Sequence, residues 1–234
     1  MRKPIKTAVL CIAYLVIIPM LVLLGVVLWR GERYNLVSLL VALVTCVPFF
    51  AFFERGKTSA RELVTLSVMT ALSVVGRLVF TPLPAFKPVS ALTVITGIAF
   101  GPTAGFITGS MSAVVSNLFF GQGPWTPFQM LVWGLIGFAS GVIFKRGCKP
   151  HPVALIVTGV LGGLFYSVGM DVWTTLSGEG GFSWAHYLSY AIAALPMTVS
   201  YAVSNVVFLL VLTGPLLQKT ERLRVKYGVF GGQA

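Results

Sequence analysis

Four polar side chains stand out because each interrupts or ends a stretch of sequence that is otherwise apolar. They are Arg77, Asn117, Gln129 and Asp171. Side chains of this kind are costly to bury in an apolar setting, and they are kept there for binding, for ion transfer or for a structural pair. Their guanidinium, amide and carboxylate groups donate and accept hydrogen bonds. That is the chemistry of recognising a small polar molecule.

The sequence lacks the arrangements that catalysis requires. Gly56-Lys57-Thr58 has the ending of a phosphate-binding loop, but Ala51 stands where that loop needs glycine, and no strand precedes it. No serine and histidine can be placed at one depth. The two histidines and six acids show no metal-ligand cluster. We therefore predict no catalytic residue, no metal and no cofactor of its own, and an intramembrane enzyme is the less favoured alternative.

Composition indicates the class of fold that positions these side chains. The chain is 56% hydrophobic and 10% charged, with a mean hydropathy of +0.91, whereas a soluble domain carries about 25% charged residues. Such a chain is suited to a lipid environment. Helices can cross lipid because their backbone N–H and C=O groups hydrogen-bond to each other. The predicted fold class is all-α, a multi-pass membrane bundle.

Uncharged runs and their breakers predict about eight transmembrane helices. The 88–144 run is too long for two spans, and Gly101-Pro102 and the segment 121–124 cut it into three helices, the first of them short. Pro196 predicts a kink in the last helix. Glycines spaced four apart in several runs predict close helix packing. The predicted helices cover 8–29, 36–53, 63–80, three parts of 88–144, 150–170 and 187–213.

Basic residues predict the orientation. With the N-terminus in the cytoplasm, thirteen of the seventeen Lys and Arg residues fall on the inner side, as the positive-inside rule requires. Both termini are then cytoplasmic, in a bacterial cell membrane. The net charge of +11 reflects topology and contact with anionic lipid, and nucleic-acid binding is disfavoured.

The polar side chains and the special loops fall at one depth, towards the outer surface. The loops cover 81–88, 121–127 and 173–185, and long loops with special residues commonly carry binding sites. We predict a pocket open to the outside. The alternative is an aromatic belt at the interface together with an Arg77–Asp171 structural pair. The predicted substrate-binding residues are Arg77, Lys87, Asn117, Gln122, Trp125, Gln129, Trp133, Asp171, Trp173, Tyr187 and Tyr190.

Residues from about 58 to 218 resemble the substrate-binding S components of energy-coupling factor (ECF) importers. The most specific part is SNLFFGQGPWTP at 116–127, supported by GIAFGP at 97–102, WGLIG at 133–137, FKP at 86–88, and the run from REL at 61–63 to GR at 76–77. The resemblance implies a six-helix core that captures a vitamin at its outer face. It also implies a transmembrane coupling subunit and two ATPase subunits as partners.

The same resemblance implies a division of the chain and a docking face. Residues 1–57 would be two additional helices, 58–218 the substrate-binding core and 219–234 a basic cytoplasmic tail. In the family the first core helix carries an A-x-x-x-A face that docks on the coupling subunit. The matching positions here are Ser67 and Ala71, with Val75 one step further, so the match is not strictly Ala/Ala.

Two additional N-terminal helices look like those of cobalamin-type S components, and cobalamin is the preferred substrate on that ground. The tryptophans at 125, 133, 173 and 184 suit a corrin ring, and they suit riboflavin or a queuosine precursor almost as well. A stand-alone carrier should show mid-membrane charges or a repeat between halves, and neither is clear. A scaffold without a ligand is the remaining alternative.

Overall fold

The computed structural model describes residues 59–144, 146–178 and 182–230, together with Leu40 and Leu43. The two predicted N-terminal helices therefore lie outside the described residues, apart from those two leucines. The described ranges hold seven helices, joined by turns and short connections. They are α1 Ala60–Val79, α2 Val89–Phe100, α3 Pro102–Phe120, α4 Thr126–Ile143, α5 Pro152–Ser177, α6 Trp184–Ala193 and α7 Leu195–Tyr227.

These helices confirm the predicted class, an all-α membrane bundle. Five of them, α1, α3, α4, α5 and α7, are long and apolar enough to cross a membrane, and α2 is a shorter apolar helix of 12 residues. All twelve residues of α2 are buried. The core is therefore built around α2, with α1, α3, α4 and α7 packed against it.

The predicted breaks inside 88–144 are confirmed. Gly101 has a φ of 99° and Gly121 a φ of 97°, a region that side chains with a Cβ rarely enter. Pro102 then starts α3, since proline fits the first turn of a helix. The run accordingly forms three helices, and the first is the short one.

The prediction for the last helix was wrong in two respects. The single kinked helix over 187–213 is two helices that meet at Ala194, and Pro196 lies in the first turn of α7. The ring of Pro196 removes a backbone donor there, so the chain starts a new helix. In addition, α7 continues through the basic segment to Tyr227, because charged residues end an apolar run without ending a helix. Likewise, α5 continues to Ser177, beyond the predicted 170.

Glycines permit close helix crossings, as predicted. A Cβ added to Gly163 on α5 would lie 2.6 Å from the backbone nitrogen of Ala202 on α7, and one added to Gly159 would lie 2.9 Å from that of Val206. Residues 105 and 137 likewise bring the backbones of α3 and α4 together. The crossings hold the ends of these helices at fixed relative positions.

The chain after α7 folds back into the bundle. Gly228 has a φ of 64° and ends α7, and residues 228–230 form a segment that we call the C-terminal clasp. The backbone N–H of Phe230 donates to Glu62 Oε1 at 2.8 Å, and Arg146 Nη2 donates to the Phe230 carbonyl oxygen at 2.8 Å. The Phe230 ring packs on Phe100 with centroids 4.8 Å apart. The clasp thus joins α7 to the start of α1, the end of α2 and the connection before α5.

Candidate functional site

The end of the bundle opposite the clasp brings three predicted site residues together. Arg77 lies in the last turn of α1, Asn117 in the last turn of α3 and Gln129 in the first turn of α4. The short connection over 121–125 sets the end of α3 beside the start of α4. Amide side chains on these two helices therefore meet.

A continuous chain of hydrogen bonds links these side chains. Arg77 Nη1 donates to Ser116 Oγ and, at 2.8 Å, to Asn117 Oδ1. Asn117 Nδ2 donates to Gln129 Oε1 at 2.8 Å, and Gln129 Nε2 donates to the Tyr166 hydroxyl at 3.2 Å. Each amide accepts on the side nearer Arg77 and donates on the other side, so the donors and acceptors along the chain are matched.

Aromatic rings lie alongside this chain of hydrogen bonds. Trp133 and Tyr166 are stacked, with centroids 5.1 Å apart and planes 9° apart. Tyr201 meets Tyr166 edge-on at 4.8 Å. The Arg77 guanidinium lies 4.5 Å from the centroid of Phe120 and 5.1 Å from that of Trp133. These rings offer flat apolar surface and cation–π contact beside the polar groups.

The charges of the site have no partners of opposite sign in the described ranges. Arg77 is 9% exposed, and Asp171 is 8% exposed. The structural pair between these two residues is not formed, since the one ion pair among the described residues joins Arg224 to Glu221. Asp171 lies in α5, and its backbone carbonyl oxygen accepts from the Thr175 hydroxyl at 2.7 Å.

Lys87 brings a second cation to the site. Its ammonium lies 5.4 Å from the centroid of Phe120, the ring that Arg77 also contacts. Burial, with repulsion from Arg77, lowers the pKa of the Lys87 ammonium. Its backbone is fixed, because Ser204 on α7 donates to the Lys87 carbonyl oxygen at 3.0 Å.

Two predicted residues in the 121–125 connection differ in position. Gln122 joins the site through Thr126, whose hydroxyl donates to Gln122 Oε1 at 3.0 Å and accepts from Asn117 Nδ2 at 2.9 Å. Trp125 instead folds over Gly123 of its own connection. It lies outside the hydrogen-bonded chain.

The remaining predicted residues lie along the rim. Trp173 packs on Phe128 with centroids 5.5 Å apart. Tyr187 donates to the carbonyl oxygen of Val168 at 3.3 Å, and Tyr190 is 39% exposed. The role of these three residues in binding stays a prediction.

Sequence reasoning missed several residues of the site: Ser116, Phe120, Thr126, Tyr166 and Tyr201. Ser116 and Thr126 lie next to residues that were singled out. Tyr166 had one usable signal, since a tyrosine inside a span needs a partner for its hydroxyl. Nothing in the sequence pairs Tyr201 with the others.

The predicted docking residues Ser67, Ala71 and Val75 share one exposed face of α1. Val64, Val68 and Leu72 extend that face, and all three are exposed. Within the described ranges, this face is therefore available to lipid or to another chain.

Comparison with known proteins identifies the family. The model of the ECF-type riboflavin transporter S component family matches residues 57–222, more than half of the chain. The chain belongs to this family. As a member, this S component is a subunit of a membrane transporter, and the family binds vitamin-type substrates and works with an ECF module. Comparisons with curated proteins and with solved structures give no match.

Proposed function

We propose that this S component captures a vitamin at the outer face of a bacterial cell membrane. The observation that carries the proposal is the matched chain from Arg77 through Asn117 and Gln129 to Tyr166, set beside the stacked rings of Trp133 and Tyr166. A preformed set of donors beside flat apolar surface is how small-molecule sites are built. The chain holds no cofactor of its own and hydrolyses nothing.

Riboflavin and cobalamin are the two leading substrates. The family's description favours riboflavin, and the parallel rings of Trp133 and Tyr166 suit a flat heterocycle. The resemblance of the two predicted N-terminal helices to those of cobalamin-type S components favours cobalamin. A queuosine precursor is the third candidate.

Transport requires partners that supply energy. The exposed α1 face with Ser67, Ala71 and Val75 would dock on the transmembrane coupling subunit, since small residues let helices approach closely. Two ATPase subunits would drive the cycle, and the bundle would tip in the membrane to release its vitamin inside. Both termini would be cytoplasmic, which the basic residues support.

Uptake by cells tests the proposal against a stand-alone carrier. A strain unable to make the vitamin, with its own uptake system deleted, would express this chain with or without an ECF module. We expect accumulation of labelled riboflavin or cobalamin only when both are present and the ATPases are intact. Uptake by this chain alone would contradict the proposal and favour a carrier.

A further inference from the structure

Two cations of the candidate site lie over the same aromatic ring. The Arg77 guanidinium lies 4.5 Å from the centroid of Phe120, and the Lys87 ammonium lies 5.4 Å from it. Like charges repel each other, and the repulsion is strongest where water is excluded. Arg77 is only 9% exposed, so this arrangement is costly unless a negative charge lies close to it.

Within the described ranges, no negative charge is paired with either cation. The one ion pair among the described residues lies in α7, at the clasp end of the bundle. Arg77 donates through Nη1 to Ser116 Oγ and to Asn117 Oδ1, and both acceptors are neutral groups. Its Nη2 and Nε atoms donate to no described residue, and neither does the ammonium of Lys87. The two cations therefore retain free donors.

These donors can be approached from outside the bundle. Phe120 is 36% exposed, and Lys87 is partly exposed. Arg77 lies deeper, where its guanidinium is 5.1 Å from the centroid of Trp133. A ligand group that meets Lys87 at the Phe120 ring would therefore come next to Arg77, with the flat surface of Trp133 beside it.

We propose that Arg77 and Lys87 bind a terminal anionic group of the substrate, a carboxylate or a phosphate. The planar guanidinium of Arg77 offers parallel donors that match two oxygens of either group, and Lys87 adds a compact charge. The stacked rings of Trp133 and Tyr166 contact the apolar body of the same molecule. This inference rests on the proposed function and narrows the substrate to an acidic molecule.

Two pairs of ligands isolate the anionic group. Biotin has a carboxylate where biotinamide has a neutral amide, and riboflavin 5′-phosphate has a phosphate that riboflavin lacks. Each ligand would be titrated calorimetrically into the purified full chain in detergent. We expect the acidic member of at least one pair to bind roughly 10- to 100-fold more tightly than its neutral counterpart, because hydrogen bonds between charged groups are the stronger ones. The pair that shows this preference distinguishes carboxylate from phosphate.

Variants then assign the preference to the two cations. Lys87→Met should reduce it about 10-fold and leave the affinity for the neutral member within about twofold. Lys87→Arg should retain it, because the charge is kept. Arg77→Met should also reduce it, and the Lys87 variants keep the test decisive if that protein misfolds. Lys219→Met, at an exposed position of α7, is the matched control.

Several results would overturn the inference. Equal affinities within both pairs would indicate that another group of the protein neutralises the cations. A preference that persists in both Lys87→Met and Arg77→Met would place the anion elsewhere. Native mass spectrometry could show an anionic phospholipid that copurifies with the unmodified chain and is lost in Lys87→Met. Without a preference within the pairs, that result would assign the cations to a lipid headgroup.

The inference and the proposed function can fail separately. Tight binding of riboflavin or cobalamin, with no binding of biotin or riboflavin 5′-phosphate, would overturn the inference and leave the proposed function standing. A folded chain that binds no vitamin would overturn both.

Discussion

At the scale of single residues, Asn117 holds the site together. It is 1% exposed, and its amide joins Arg77 on α1 to Thr126 and Gln129 on α4. All three of these hydrogen bonds are buried, where an amide without partners is expensive. The geometry of the site therefore depends on this one side chain.

Replacing Asn117 by leucine tests that dependence. The change keeps the volume but leaves Arg77, Thr126 and Gln129 each short of a partner, and each lost bond costs about 1–3 kcal/mol. We expect a lower midpoint of thermal unfolding and weaker vitamin binding. Gln218→Leu, at an exposed position of α7, should change neither. Loss of stability with unchanged vitamin affinity would show that Asn117 has a structural role and that the vitamin binds elsewhere.

The sequence predicted part of this site for a physical reason. Arg77, Asn117 and Gln129 were recognisable because polar groups are rare inside spans. Tyr166 and Tyr201 were not recognisable as site residues, because tyrosine occurs in apolar cores as well as in binding pockets. Only the crossing of α4, α5 and α7 brings Tyr166 to Gln129 and Trp133, and Tyr201 to Tyr166.

At the scale of helices, the crossing of α5 and α7 depends on backbone contact. A Cβ at residue 163 would lie 2.6 Å from the Ala202 nitrogen, whereas one at residue 214 would meet nothing within 4 Å. The two glycines therefore form a matched pair, one packed and one free.

Alanine at each position should have opposite effects. Gly163→Ala should lower the unfolding midpoint, because α5 and α7 must separate to admit the methyl group. Gly214→Ala should leave it unchanged or raise it, since alanine favours a helix by about 1 kcal/mol over glycine. The midpoints would be followed by circular dichroism in detergent. An equal decrease in both variants would show that the crossing is not as close as described.

The C-terminal clasp allows a second prediction about how a structural element contributes to stability. Phe230 is 1% exposed, and removing a buried phenylalanine ring costs about 3–5 kcal/mol. Phe230→Ala should lower the unfolding midpoint without changing vitamin affinity, because the clasp lies at the other end from the site. Val225→Ala, at a position 77% exposed, is the control. A loss of affinity at temperatures where the variant is folded would contradict this separation.

Helix boundaries show what the sequence can and cannot predict. The breaks at Gly101 and Gly121 could be predicted because glycine readily adopts a positive φ, which residues with a Cβ rarely do. The start of α7 at Leu195 and its end at Tyr227 could not. Hydropathy marks where a helix lies in lipid, and α7 continues past that limit for as long as its residues favour a helix.

At the scale of the whole molecule, the exposed face of α1 allows docking on the coupling subunit to be tested independently of vitamin binding. Ala71 is exposed, so a larger side chain there should not disturb the fold. Ala71→Trp should abolish copurification with a transmembrane coupling subunit and leave vitamin affinity unchanged, because close helix contact needs small residues. Val157→Trp on α5, also at an exposed position, should assemble normally. Normal assembly of both variants would place the docking face elsewhere.

The division into two additional helices, a six-helix core and a basic tail stays a prediction. The family match covers 57–222. The two predicted N-terminal helices lie outside the described ranges, apart from Leu40 and Leu43. The cobalamin assignment depends on those helices. Riboflavin depends on the core, where the site lies.

Calorimetry on the purified chain tests the central claim most directly. Cobalamin, riboflavin, biotin and a queuosine precursor would each be titrated into the protein in detergent without ATP. We expect tight one-to-one binding of one vitamin, weakened by Gln129→Leu, which breaks the hydrogen bonds to Asn117 and Tyr166. A well-folded protein that binds none of the four would contradict it.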